Sequence, residues 1–273
     1  MRAAPPPSAL GVLMVVVGSF ALVFLVSPFV VVLPNGFSSG AYLQFPPPGV
    51  SLRWFRHFVA NRTWTDAAIT SFEVALAASA IATATGTAAA IALDGWSFRG
   101  KTALVLLLLS PLVMPTVIVG IAAYTFFVSV RLYGSPVALV VAHGALGMPY
   151  VLLSVLAALN QRDPRLGMAA LSLGASPWQA FREVTLPLAM PGVLGGAILA
   201  FVISFDDVVI ATFLAGVRTT TLPMRMFQAV EAELDPTIAA ASTLLVALAA
   251  LVLVAFRALA RLERRRSPST LSR

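Results

Sequence analysis

The chain has 273 residues, 59% of them hydrophobic and 11% charged, and a formal net charge of +7. Soluble domains carry about 25% charged residues, so this composition, with a mean hydropathy of +0.93, excludes a soluble globular protein and indicates an integral membrane protein. There is no Cys, and His57 and His143 are the only histidines; disulfides and thiolate metal sites are excluded, and neither a His-based metal cluster nor a cofactor is expected.

The net charge reads as membrane topology, not affinity for nucleic acid, because the basic residues cluster at the ends of apolar runs. Crossing a bilayer takes about 20 apolar residues, and six runs qualify: 9–33, 67–93, 102–130, 137–159, 189–215 and 237–260. The first follows "MRAAPPPS" and resembles a signal peptide. Its apolar run is too long and lacks a convincing cleavage site, so a retained helix is expected. With the N-terminus inside, segments 1–8, 94–101, 160–188 and 261–273 are cytoplasmic. Together with the flanking Arg257 they hold 12 of the 18 basic residues, which favours both termini inside. The expected organisation is an N-terminal helix and external loop over 1–66, a five-helix core over 67–260, and a basic cytoplasmic tail over 261–273.

Within the external loop 34–66, "SLRWFRHFVANRTW" suits an amphipathic interfacial helix with Trp54, Phe55, Phe58 and Val59 on one side. It is read as an aromatic-belt anchor or as a docking surface for an external protein. Residues 75–92, "ALAASAIATATGTAAAIA", are almost all small. Small residues let helix backbones approach closely in lipid, so this helix is expected at the centre of a bundle. Thr83, Thr85 and Thr87 are candidates to line a pathway, although packing alone accounts for the run. Glu73 lies near the outer end of the same helix. Pro111 and Pro115, in "SPLVMPTVIVG", are expected to break or kink the third helix, and broken helices line some transport sites.

The cytoplasmic segment 160–188 is long for a simple connection. Asp163 followed by Pro164 reads as a helix start, with a short helix over 165–173 that stops at Gly174. Ser176 then caps a second helix with Pro177 at its first position, and Pro187 is expected to end it. Arg182 and Glu183 form its polar side, and Trp178, Phe181 and Val184 its apolar faces. Two short amphipathic helices outside the membrane make a knob for the groove of a soluble partner.

These residues resemble the "EAA" loop of the inner-membrane permeases of ABC importers: E-A-A, three residues, Gly, nine residues, an aliphatic, one residue, Leu-Pro. Here Ala169 and Ala170 precede "LSL", Gly174, nine residues, Val184, Thr185, Leu186 and Pro187. Met168 stands where the family usually has Glu, which puts one salt bridge or cap in doubt but not the docking. The resemblance extends over about residues 10 to 260, including "GASPWQAFREVTLPLAMPGVLGGAILAFVISFDDVVIATFLAG" and "TLPMRMFQAVEAELDPTIAAASTLL", and is to the second permease of spermidine/putrescine importers. The same subfamily contains permeases for opines, aminophosphonates and other small amines.

The resemblance implies an all-α polytopic bundle with the type I ABC importer permease (MetI-like) fold and six transmembrane helices. The location implied is the inner membrane of a bacterium. It also implies a second homologous permease, two cytoplasmic ABC ATPase subunits and an external substrate-binding protein as partners. Met168, Ala169, Ala170, Gly174, Ala175, Ser176, Trp178, Phe181, Val184, Leu186 and Pro187 would form the ATPase-coupling segment. The chain has no GxxxxGK[ST] motif, so ATP hydrolysis is expected in a separate subunit and this chain is not expected to be an enzyme. The function implied is the translocation path for a small cationic solute, foremost a polyamine, with an opine, aminophosphonate or other small amine as the alternative. A carrier driven by an ion gradient is a competing class; it would use buried acids for coupling but has no need of this loop.

The fifth run, "LAFVISFDDVVIATFLAG", places Asp206 and Asp207 side by side among apolar residues. If the helix enters the bilayer near Pro191, Asp206 lies about 22 Å further on at 1.5 Å per residue, past the midplane. An Asp at the bilayer centre costs about 3 kcal/mol even on insertion scales, so such residues line a cavity or are paired. Adjacent helical residues diverge by about 100°, so both cannot face one cavity unless the helix is interrupted. Two readings stand: contact with a cationic solute, aided by Phe201, Phe205 and Ser204, or structural pairing with Arg218 or Arg225. Between the fifth and sixth runs, "EAELDPTI" supplies Glu231, Glu233, Asp235 and Pro236, a cap for the last helix; its three acids are read as a solvated loop or as an acidic field for cations.

Overall fold

The computed structural model describes residues 9–163, 165–232 and 235–266. Pro164, Glu233, residues 1–8 with Arg2, and residues 267–273 with Arg273 lie outside the described residues, as do the side chains of Arg257 and of Arg261 onward. The described residues are helical, with one isolated antiparallel bridge, Ser38 to Val50. Four of the described helices are long and apolar enough to cross a membrane, and a bent pair makes a fifth. The chain divides into two compact units, 1–62 with 229–273, and 63–228.

In the first unit, α1 (Ala9–Gly36) exposes its whole apolar window, as a lipid-facing helix does. It packs on α12 (Thr237–Arg266), whose shorter apolar part is Thr237–Leu251. Contact is close at Gly36, where an added Cβ would lie 2.4 Å from Thr243 Oγ1. Asp235 caps α12 as expected, its Oδ1 accepting from the Thr237 N–H (2.9 Å) and hydroxyl (2.7 Å). The amphipathic helix exists as α2 (Arg53–Ala60), tied down by Trp54 Nε1 donating to Gly40 O (3.1 Å), by Phe55 packing on Phe37 and by burial of Phe58. Val59 does not join that side: it is 69% exposed, because the unit covers only the narrow stripe of Trp54, Phe55 and Phe58.

In the second unit, the third run is two helices, α4 (Lys101–Val113) and α5 (Thr116–Ser129), bent by 103°. Pro115 makes the break and Pro111 is accommodated inside α4. The residue before a proline is pushed to extended backbone, and Met114 has ψ 136. The central helix is α3 (Arg62–Gly95), with Ala75, Ala78, Ala82, Gly86 and Ala90 among its buried residues. Thr85 bonds back to Ile81 O of its own helix (2.7 Å), while the hydroxyls of Thr83 and Thr87 are buried without a hydrogen-bond partner among the described residues.

The packing that positions everything else is between α6 (Pro136–Asn160) and α9 (Leu186–Asp206). Their backbones meet through small residues four apart on α9: Gly192, Gly196, Ala200 and Ser204, all buried. A Cβ at Gly192 would lie 3.0 Å from Val155 Cα, one at Gly196 2.7 Å from Val151 Cα, and one at Gly147 3.0 Å from Ala200 Cβ. Each step of four up α9 therefore meets a step of four down α6. The next rung pairs Ser204 with His143.

Candidate functional site

At one end of the second unit lies the loop that the sequence singles out. The helix α7 (Arg165–Ser172) begins with Asp163 Oδ1 accepting from the Arg165 N–H (2.9 Å). It ends in a Schellman motif: Gly174 has φ +92, its N–H donates to Leu171 O (3.0 Å), and the Ala175 N–H donates to Ala170 O (3.1 Å). Ser176 opens α8 (Pro177–Ala180) with a full capping box to Gln179.

Contrary to the sequence expectation, Pro187 does not end this second helix. A five-residue π segment, Phe181–Thr185, joins α8 to α9, and 177–206 runs on as one 30-residue span. Pro187 has no N–H to offer Glu183 O, and its ring would crowd that carbonyl. The chain widens into a π turn, in which the Leu186 N–H reaches back to Phe181 O.

The apolar side chains of this segment have little to cover them. Leu173 is 88% exposed, Trp178 66% and Met168 60%; Trp178 and Phe181 pack ring against ring at 5.3 Å. A cleft of about 580 Å³ lies beside them, lined among others by Asp94, Arg162, Met168, Leu171, Phe181 and Thr185. Arg162 spans it, ion-paired with Asp94 and donating to Thr185 Oγ1 (3.3 Å). This clamp joins the end of α3 to the π segment. In the sequence Arg162 is legible only as a topology signal, because 68 residues separate it from Asp94.

The two aspartates lie at the other end of the same helix, which breaks there. The helix α9 stops at Asp206, Asp207 is extended (ψ 126), and α10 (Val209–Leu214) begins afresh. The fifth run is thus not one helix over 189–215. Asp competes for backbone N–H groups, and Asp207 Oδ2 accepts from the Ala211 N–H (3.1 Å) in the first turn of α10. The interruption turns the two carboxylates apart: Asp206 is exposed, while the Asp207 side chain is 11% exposed and faces inward. The last carbonyls of α9 lack intrahelical partners and add the negative end of its dipole to the same place. Phe205 stacks on Phe201 (5.8 Å, 24°), and Phe72 of α3 meets Phe201 edge-on (5.8 Å).

Ser204 bonds not to a solute-facing group but to His143 Nδ1 (2.9 Å). His143 is buried, and its Nε2 lies 3.5 Å from Asp207 Oδ2, beyond a hydrogen bond and with no other partner among the described residues. No ion pair joins Asp206 or Asp207 to Arg218 or Arg225 among the described residues; Arg225 lies over the Trp64 ring at 5.4 Å. Glu73 is exposed. Sequence reading passed over His143, although a lone ionisable residue inside an apolar span is itself a signal.

Residues 82–268 match the family model "Binding-protein-dependent transport system inner membrane component". The chain is 33% identical to the spermidine/putrescine transport system permease protein PotC of Haemophilus influenzae, over 85% of this chain and 90% of that protein. It is also 33% identical to the putrescine transport system permease protein PotI of Escherichia coli, over 89% of each. Among solved structures, a bacterial ABC transporter involved in import of the acidic polysaccharide alginate superposes with a TM-score of 0.71, covering 96% of this chain and 99% of that chain at 12% identity; that likeness concerns the fold alone. On its sequence and its fold, the chain belongs to the inner membrane component family of binding-protein-dependent transport systems.

Proposed function

We propose that this chain forms, with a second homologous permease, the path by which an ATP-driven importer moves a small polycation of the polyamine class. The observation that carries the reading is a single continuous helix, 177–206. It bears the uncovered apolar surface of Trp178 and Phe181 at one end and Asp206 at the other, about 42 Å from Trp178 at 1.5 Å per residue. An ATPase pair seated on the first end would move the second as a rigid rod. The positive-inside bias puts the loop end and both termini in the cytoplasm. The aspartate end then opens toward an external binding protein.

The chemistry of the aspartate end suits an ammonium group. At about 4 Å and an effective dielectric near 20, a carboxylate and an ammonium attract by about 4 kcal/mol, and an aromatic face adds about 0.5–2 kcal/mol. Asp206, Asp207, Phe72, Phe201 and Phe205 supply both. The names of the relatives, spermidine/putrescine and putrescine permeases, support the same class. Hydrolysis of ATP is assigned to the separate ATPase subunits.

The test is uptake of labelled putrescine and spermidine by cells carrying the whole transporter, with and without this chain, in energised and ATP-depleted states. Uptake that requires both the chain and ATP is expected. Uptake that survives ATP depletion on an ion gradient would refute the importer reading. Absence of polyamine uptake by an assembled transporter would refute the solute class.

A further inference from the structure

We propose that His143 is a positioning residue for Asp207, holding its carboxylate toward the solute path through its imidazole Nε2–H. This rests on the reading that Asp207 belongs to that path. His143 reaches the helix break because the ladder of small residues on α9 brings α6 into backbone contact, and Ser204 is the last rung before the break. The imidazole is buried between two fixed groups. Ser204 Oγ is 2.9 Å from Nδ1, and Asp207 Oδ2, already anchored by the Ala211 N–H, is 3.5 Å from Nε2.

A carboxylate only accepts, so the nitrogen facing it carries a proton. Nδ1 and Ser204 Oγ share the second hydrogen bond, which either can donate. The chain of contacts runs from Ser204 Oγ to Nδ1, then from Nε2–H toward Asp207 Oδ2. A movement of about 0.5 Å at the break closes the last gap to hydrogen-bond length.

An apolar residue in place of His143 would leave a carboxylate that is 11% exposed facing a group with no proton to donate. The buried imidazole keeps an N–H aimed at it from a ring fixed by Ser204.

The test uses the whole transporter in proteoliposomes and initial rates of labelled putrescine uptake, with His143→Gln, His143→Asn, His143→Leu, Asp207→Asn and the double variant His143→Leu/Asp207→Asn. The amide nitrogen of Gln falls near Nε2 and that of Asn near Nδ1, so each preserves one side of the chain of contacts. Loss of one hydrogen bond to a charged group is expected to raise KM about 10- to 150-fold in His143→Leu and His143→Asn. His143→Gln should stay near wild type, and the double variant should be no worse than Asp207→Asn. Rescue by Asn instead of Gln, additivity in the double variant, or equal loss in all three His143 variants would mean a packing role through Ser204 and overturn the proposal. An altered KM in Asp207→Asn with an unaltered His143→Leu overturns this inference alone. An unaltered KM in Asp207→Asn overturns the solute-path reading and this inference with it.

Discussion

Two neighbouring glycines offer an internal control on the helix ladder. A Cβ at Gly196 would sit 2.7 Å from Val151 Cα, whereas one at Gly195 would meet nothing within 4 Å. Carbon atoms rest at about 3.5–4.0 Å, so Gly196→Ala forces α6 and α9 apart by roughly 1 Å or distorts one of them. Overpacking of this kind costs about 1–3 kcal/mol, against which Ala gains about 1 kcal/mol over Gly in a helix interior. Gly195→Ala should show the propensity gain alone. The two variants should therefore differ by about 1–3 kcal/mol, or about 5- to 150-fold in the unfolding equilibrium. The assay is loss of helical circular dichroism against mole fraction of a denaturing detergent, for both variants side by side. Uptake should fall with Gly196→Ala, since the same displacement pulls His143 from Ser204. Equal stability of the two variants, or greater damage from Gly195→Ala, would refute the close-contact account of the α6–α9 pair.

Gly174 has open space around it but φ +92, where side-chain-bearing residues are strained by about 1–2 kcal/mol. Gly174→Asp should abolish transport while membrane insertion, followed by protease accessibility, is retained; full uptake would refute the docking role. Arg162→Ala should lose about 1–3 kcal/mol, as expected for a partly buried charge-assisted pair, and slow solute-stimulated ATP hydrolysis. The swap Arg162→Asp with Asp94→Arg should recover part of both; a swap as poor as the single change refutes the clamp. Asp206→Asn and Asp207→Asn should each weaken uptake of divalent amines more than of monovalent ones, read as the ratio of initial rates. An unchanged ratio in both would remove the aspartates from the solute path.

Much of the loop was legible because its signals are local. Asp163, Gly174 and the Ser176 cap act over two to five residues, and each appears where the spacing puts it; the reciprocal bond from Gln179 is seen only in the structure. Pro187 misled for a related reason: a proline ends a helix by default, and only the widened turn that absorbs it shows that α8 continues into α9. The aspartates were visible as anomalies, but the break between them depends on a backbone–side-chain bond to Ala211 that competes with simple continuation of the helix.

By itself, the sequence determined the membrane class, the apolar runs, the caps and the loop that resembles a coupling segment. Composition, periodicity and capping are written within a few residues of each other. Only the tertiary structure decided that Asp206 and Asp207 part company, that Arg162 reaches Asp94, and that His143 stands between Ser204 and Asp207. The His143–Ser204 and Arg162–Asp94 contacts join residues 61 and 68 apart in the chain. The first follows from the register of α6 on α9, set by how closely two backbones can approach where side chains are missing.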